Sequence, residues 1–234
     1  AFRPKNAPEP AFHTNYELRS YGTVPENGKV PDAMALKLIR GYRACVSFMD
    51  AQLGRVLAEL DRLGLRENTL IVLWGDHGYH LGERGWWNKN TLFDRSCRAP
   101  LLIAAPGMKG GQVCRSPVEF VDIYPTIAEL CGQKPPHALA GKSLCPVLED
   151  ATREHKGAAF TLVTRGPKNF GQSVCTKRWR FTRWSDGTME LYDHDTDPQE
   201  TRDVSTAPEN AAIIAELKAG RMVILVDEED RENE

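Results

Sequence analysis

The chain of 234 residues has no C-x-x-C pair, so a zinc ribbon or a thioredoxin-type redox site is not expected. Its six cysteines are Cys45, Cys97, Cys114, Cys131, Cys145 and Cys175. Their spacing leaves buried thiols and disulfides both open, and with them the redox compartment. No uninterrupted apolar run approaches the roughly 18 residues that cross a bilayer, and the mean hydropathy is -0.44. We therefore expect a soluble protein with no membrane partner. An excess of one charge is also missing. The formal net charge is -2, and residues 227–234 alone hold six acids and one Arg, so residues 1–226 carry a net +3. That is too weak and dispersed for a nucleic-acid partner, and residues 221–234 read as a solvated acidic tail. No internal repeat is present. The chain opens on Ala1 without an apolar leader, so no secretion signal is legible, and we expect a processed start or a piece of something longer.

What is there is ordinary globular material, 41% hydrophobic, enough to bury a core without staples as one large α/β domain or two small ones. Pro4, Pro8, Pro10 and Pro25 make residues 1–30 read as an extended surface segment. From Asp32, apolar residues recur at three- and four-residue steps through Leu38, Tyr42, Val46, Met49, Leu53 and Leu60, which predicts a long amphipathic helix over 32–63 capped by Gly64. The β-prone run 69–74 shows no alternation, as in strands buried on both faces of a parallel sheet. A second such run covers 100–105, and a helix follows over 122–131, closed by Gly132. Beyond about residue 148 the pattern turns to alternating strands at 159–164, 173–176, 179–184 and 189–192. A Ser185-Asp186-Gly187 turn joins the last two, so an antiparallel sheet packed by a helix over 208–219 is expected.

The first buried run ends in Gly75-Asp76-His77-Gly78. Within the next residues the chain reads GDHGYHLGERGWWNKNTLF, which concentrates Asp76, His77, His80, Glu83 and Lys89 in fourteen positions. Open α/β sheets bind ligands at the carboxyl ends of strands. There a carboxylate and an imidazole can face one cation, and flanking glycines let the backbone approach a ligand. Lys89 offers positive charge to an anionic ester, and Trp86 and Trp87 can exclude water around it. Each residue also has a bland reading. Asp76 can hydrogen-bond a turn, His80 and Glu83 can brace a loop, Lys89 can be solvated, and the tryptophans can simply pack.

Taken together, IVLWGDHGYHLGERGWWNKNTLFDRSCRAPLLIAAPG resembles the second signature block of the sulfatases, within the alkaline phosphatase superfamily. The preceding RACVSFMDAQLGRVLAELDRLGLRENTLIV, the following VEFVDIYPTIAELCG and the later TKRWRFTRWSDGTMELYDHDTDPQETRDV resemble the flanking helices, strand and carboxyl-terminal subdomain in order. The match runs over about 31–219, and its Asp-His pair is similar to the iduronate-2-sulfatase type rather than the Asp-Asn type. The resemblance implies that Asp76 and His77 are metal ligands completing a calcium (Ca2+) site. It implies that Lys89 is the catalytic and substrate-binding lysine on the sulfate group. His80 and Glu83 fall in the matched block without a role to carry over and stay as rim or bracing candidates, His80 as a possible substrate contact.

The family's formylglycine arises from a C-x-P-S-R or S-x-P-S-R motif, which no cysteine or serine here matches. Cys97 precedes Arg-Ala-Pro, Cys114 precedes Arg-Ser-Pro, and Cys175 precedes Thr-Lys-Arg. The nucleophile is therefore expected upstream of Ala1, in a missing amino-terminal half that is this chain's partner. The expected fold is α/β: part of an alkaline-phosphatase-like mixed or parallel sheet between helices over 1–148, and a small antiparallel α+β subdomain over 149–220. The expected function of the intact parent is hydrolysis of sulfate esters on sulfated carbohydrate or glycosaminoglycan, with this piece inactive alone. The rivals are a phosphatase or phosphodiesterase of the same superfamily and a non-catalytic binding or structural fragment. Family members imply a periplasmic, secreted or lysosomal location.

Overall fold

The computed structural model describes residues 3–12, 16–26, 28–166 and 168–219; the expected acidic tail lies outside the described residues. The elements in order are α1 (Tyr16–Arg19), α2 (Asp32–Arg62), β1 (Ile71–Trp74), α3 (Asp94–Cys97), β2 (Leu101–Ala104), α4 (Ile123–Leu130) and α5 (Cys145–Glu149). They are followed by β3 (Ala159–Thr164), β4 (Phe170–Cys175), β5 (Trp179–Trp184), β6 (Met189–Asp193) and α6 (Ala211–Ala219). The mixed α/β class with a separate antiparallel sheet is as expected. Among the described residues, no helix is long and apolar enough to cross a membrane.

Helices α2 and α4 end where glycine permits it. Gly64 and Gly132 adopt φ of 67° and 64°, conformations that a β-carbon disfavours. After α2, Gly64 N–H donates to Asp61 O and Leu65 N–H to Leu60 O, and Gly132 and Gln133 close α4 in the same pattern. These are Schellman closures that satisfy carbonyls left open by the last turn.

β1 and β2 pair antiparallel, from Ile71↔Ala104 to Trp74↔Leu101, which corrects the expectation of parallel neighbours buried on both faces. Unbroken apolar runs indicate two covered faces only if both covers are present. Here Trp74 is 49% exposed and Leu102 57% exposed. The antiparallel pairing has a functional consequence. Residues 75–100 leave and re-enter at the same end of the hairpin, where Gly75 N–H donates to Pro100 O at 3.0 Å. The whole candidate constellation is thus one long excursion from a single sheet end.

The second sheet is a meander, β3-β4-β5-β6, antiparallel throughout. Alternation along β4–β6 sends Val174, Phe181 and Leu191 to one face, where Ile214 and Leu217 of α6 cover them. On the other face Val163, Trp184 and Tyr192 pack with Leu92 and Phe93 from the excursion. The proline-containing segment 1–30 is more than a surface strap. Ala11 joins that second cluster, and Leu18, Val24 and Val30 form a third one around Trp87. These apolar residues are too far apart in the chain to show a period, yet all four are buried. All six cysteines are free, with Cys45, Cys114 and Cys131 exposed and Cys145 buried.

Candidate functional site

Asp76 and His77 follow β1 directly and stand open to solvent, the Asp76 side chain 86% exposed and His77 36%. His77 Nδ1 lies 2.8 Å from Gly78 O. A carbonyl only accepts, so Nδ1 carries the proton and the Nε2 lone pair is left available, the form in which imidazole binds a metal. Nε2 sits 3.6 Å from Asp76 Oδ2, a separation that one cation with ligand distances of about 2.3–2.6 Å can bridge. The donor set fits a hard divalent ion, but only in part. Calcium takes about 6–8 oxygen ligands, and no group of three or more His, Cys, Asp or Glu side chains gathers among the described residues.

The glycine after this pair has a packing purpose rather than the ligand-approach role expected. A β-carbon on Gly78 would overlap the backbone carbonyls of Arg95 and Arg98, and its N–H donates to Ser96 O at 2.8 Å. Gly78, not the pair itself, is therefore pressed against the backbone of α3 and Arg98.

Lys89 Nζ is 2.7 Å from Glu17 Oε1 of α1, with the lysine side chain 29% exposed. The same neighbourhood includes Tyr79, two positions after His77. Burial raises the Tyr79 phenol above its ordinary range, the Glu17 carboxylate adds to this and Lys89 opposes it. Tyr42 of α2 stands over Tyr79 with ring centroids 5.4 Å apart. A lysine of the excursion, a carboxylate of α1 and two phenols thus share one partly open region.

His80 is not at a rim. It is fully buried, which corrects its reading as a substrate contact: no atom of the ring faces solvent. Its Nε2 lies 2.9 Å from Thr91 Oγ1 and its N–H donates to Asn88 O, so it braces the loop that carries Lys89. Burial and, next, the Arg84 charge hold its imidazole down at about 4. Glu83 also braces, accepting Leu81 N–H at 2.6 Å. Trp86 and Trp87 are buried packing residues, Trp86 stacked on Phe12 at 6.0 Å.

Sequence reasoning missed Glu17, which no motif marks, and a buried ionic cluster of Arg84, Arg180 and Glu200. Glu200 is the last residue of the D-T-D-P-Q-E run, and its carbonyl accepts Arg84 Nε across 116 positions at 3.1 Å. The available signal was the run of charges over residues 193–203, just beyond the strand expected at 189–192.

Comparison with known proteins follows the same outline. A family model described as sulfatase matches residues 6–133, and one described as N-sulphoglucosamine sulphohydrolase, C-terminal, matches residues 82–225. A sulfatase of Formosa agariphila is 40% identical over 164 residues, 70% of this chain and 32% of that protein. Arylsulfatase K of Canis lupus familiaris is 32% identical over 183 residues, 73% of this chain and 34% of that protein. A solved protein in complex with its substrate D-glucosamine-2-N,6-O-disulfate superposes with a TM-score of 0.70 at 29% identity, covering 74% of this chain and 37% of that one. The chain spans about a third of the length of the curated relatives it matches. With the sulfatase model covering more than half of it, this chain belongs to the sulfatase family.

Proposed function

We propose that this chain is the carboxyl-terminal portion of a sulfuric ester hydrolase acting on sulfated sugars, with an Asp-His metal pair of the iduronate-2-sulfatase type. The observation that carries the reading is His77, whose Nδ1–H···O=C bond leaves Nε2 free beside Asp76 Oδ2. The similarity to a protein solved with a disulfated glucosamine supports the substrate class. A calcium ion and a formylglycine from outside this chain would supply polarisation of the sulfate and the nucleophile. Asp76 and His77 would be ligands to that ion. Lys89 sets a positive charge against oxygens that gain charge in the transition state, the preorganised electrostatic contribution. Glu17 holds Lys89 Nζ in place, so an incoming sulfate meets a lysine already positioned rather than one free to rotate. The chain on its own is inactive, because it positions charge without a nucleophile. In this reading the parent works in a periplasmic, extracellular or lysosomal compartment.

The test is made in the intact parent. Asp76→Ala is expected to lose calcium and nearly all turnover, while Lys89→Ala keeps calcium and loses about 10²- to 10³-fold in kcat on sulfate esters. Equal calcium content and full activity in Asp76→Ala would refute the metal assignment. Release of phosphate rather than sulfate from matched aryl esters would move the reading to phosphoryl transfer. Release of neither would reduce the chain to a binding scaffold.

A further inference from the structure

Glu200 is fully buried and adopts φ of 51°, a left-handed conformation that a non-glycine residue keeps only where its surroundings over-determine it. Its carboxylate has four partners. Oε1 accepts Arg180 Nε at 2.8 Å and His194 Nε2 at 2.9 Å. Oε2 accepts the Asp94 N–H at 2.8 Å and lies 3.7 Å from Arg84 Nη2. Burial alone would raise this carboxyl group, but His194 and Arg180 outweigh it and hold it low. Arg84, the residue bonded to the Glu200 carbonyl, is itself left-handed at φ of 56°. Two strained residues hold each other across the interface between the excursion and the second sheet.

Arg84 and Asp94 are the two ends of the stretch that contains Lys89. One carboxylate therefore pins both ends of the lysine's loop. Arg180 repeats the link, donating Nη2 to Asp94 Oδ1 at 3.0 Å. Asp94 opens α3, and α3 accepts the Gly78 N–H through Ser96 O with no space for a β-carbon between them. Gly78 adjoins the Asp76-His77 pair. Short contacts thus run from Glu200 to both ends of the loop that carries Lys89 and, through α3, to the residue that follows the metal pair.

We propose, resting on the sulfatase reading above, that Glu200 is a positioning residue: the turn segment after β6 uses it to set the geometry of Lys89 and of the Asp76-His77 pair. Groups that orient metal ligands from behind change affinity by about 10- to 100-fold when removed. Glu200→Gln in the intact parent is expected to weaken calcium binding, measured by titration with calcium chloride, by about that factor. It should also lower kcat for 4-nitrophenyl sulfate more than it changes KM. The control is Glu190→Gln, which removes a buried carboxylate of β6 whose partners Trp184 and Tyr192 lie within the second sheet. It is expected to lower Tm while leaving calcium affinity and kcat unchanged. Arg84→Lys keeps the charge but loses the Nε bond to Glu200, and should give the same pattern at smaller size if the Gln variant does not fold. Unchanged calcium affinity and kcat in a folded Glu200→Gln or Arg84→Lys parent overturn the positioning role and leave the proposed function standing. Equal kinetic losses in Glu190→Gln also overturn it, because Glu200 is then a matter of general stability. A wild-type parent that binds no calcium and releases no sulfate overturns both readings together.

Discussion

His80 carries a pH dependence that its sequence position conceals. The folded imidazole titrates at about 4 because burial disfavours the cation and the Arg84 charge adds to that, with Glu83 and Glu200 only partly opposing. An unfolded histidine titrates near 6.5. Below 6.5 the unfolded state therefore binds a proton that the folded state refuses, and stability falls as pH drops from 6.5 towards 4. The expected loss is about 2 kcal/mol at pH 5 relative to pH 7.5. Urea unfolding of the parent at the two pH values should show it, and His80→Gln should remove this share of the slope; an unchanged slope in the variant would assign it to other groups. His80 also shows what a motif does and does not contain. GDHGYHLGERGWWNK marked a dense cluster of chemistry, and Asp76, His77 and Lys89 stand partly or fully open within it. Which histidine faces solvent depends on Thr91, Asn88 and Phe93 closing round one of them, and that is a packing outcome.

At the scale of elements, local signals served best where the structure is local. The strands 159–164 and 179–184 were legible to the residue because alternation and a Ser185-Asp186-Gly187 turn act within a few positions, with Thr188 N–H donating to Asp186 Oδ1 at 2.9 Å. Strand β4 begins earlier than expected, at Phe170, because Gly171 gives no apolar mark of its own. Its lack of a side chain is nonetheless a requirement. Gly171 pairs with Trp184, and a β-carbon there would lie 2.6 Å from the Trp184 ring and 2.7 Å from Leu92 Cδ1. Gly171→Ala overpacks the joint between the second sheet and the excursion, so we expect about 1–3 kcal/mol of destabilisation. A fall in Tm in thermal melts of the parent checks this, and an unchanged Tm would mean that Trp184 and Leu92 can move aside.

For the whole molecule, the informative surface is the bare one. Helix α2 buries no residue fully, and Tyr42, Val46 and Met49 of its expected inner stripe are exposed, as are Val56 of the same helix, Trp74 of β1 and Leu102 of β2. Apolar surface of this extent marks a missing contact or an aggregation site, and the chain covers only about a third of its relatives' length. Made alone, the chain is expected to self-associate, with light scattering rising as concentration rises. Val46→Lys with Val56→Lys should reduce that scattering without loss of helical circular dichroism, since both side chains are exposed. A chain that stays monomeric at high concentration would contradict the reading. The amino-acid sequence by itself determined the family, the long helix with its glycine stop, the strands of the meander and which residues are candidates for the site. Those properties depend on side-chain chemistry and on spacing within a few residues. Only the tertiary structure decided that β1 and β2 run antiparallel, that His80 is interior, that Glu17 meets Lys89 and that Glu200 bonds both ends of the loop carrying Lys89. Each of these joins residues far apart in the chain, and such contacts are chosen by which surfaces fit together, not by any local preference.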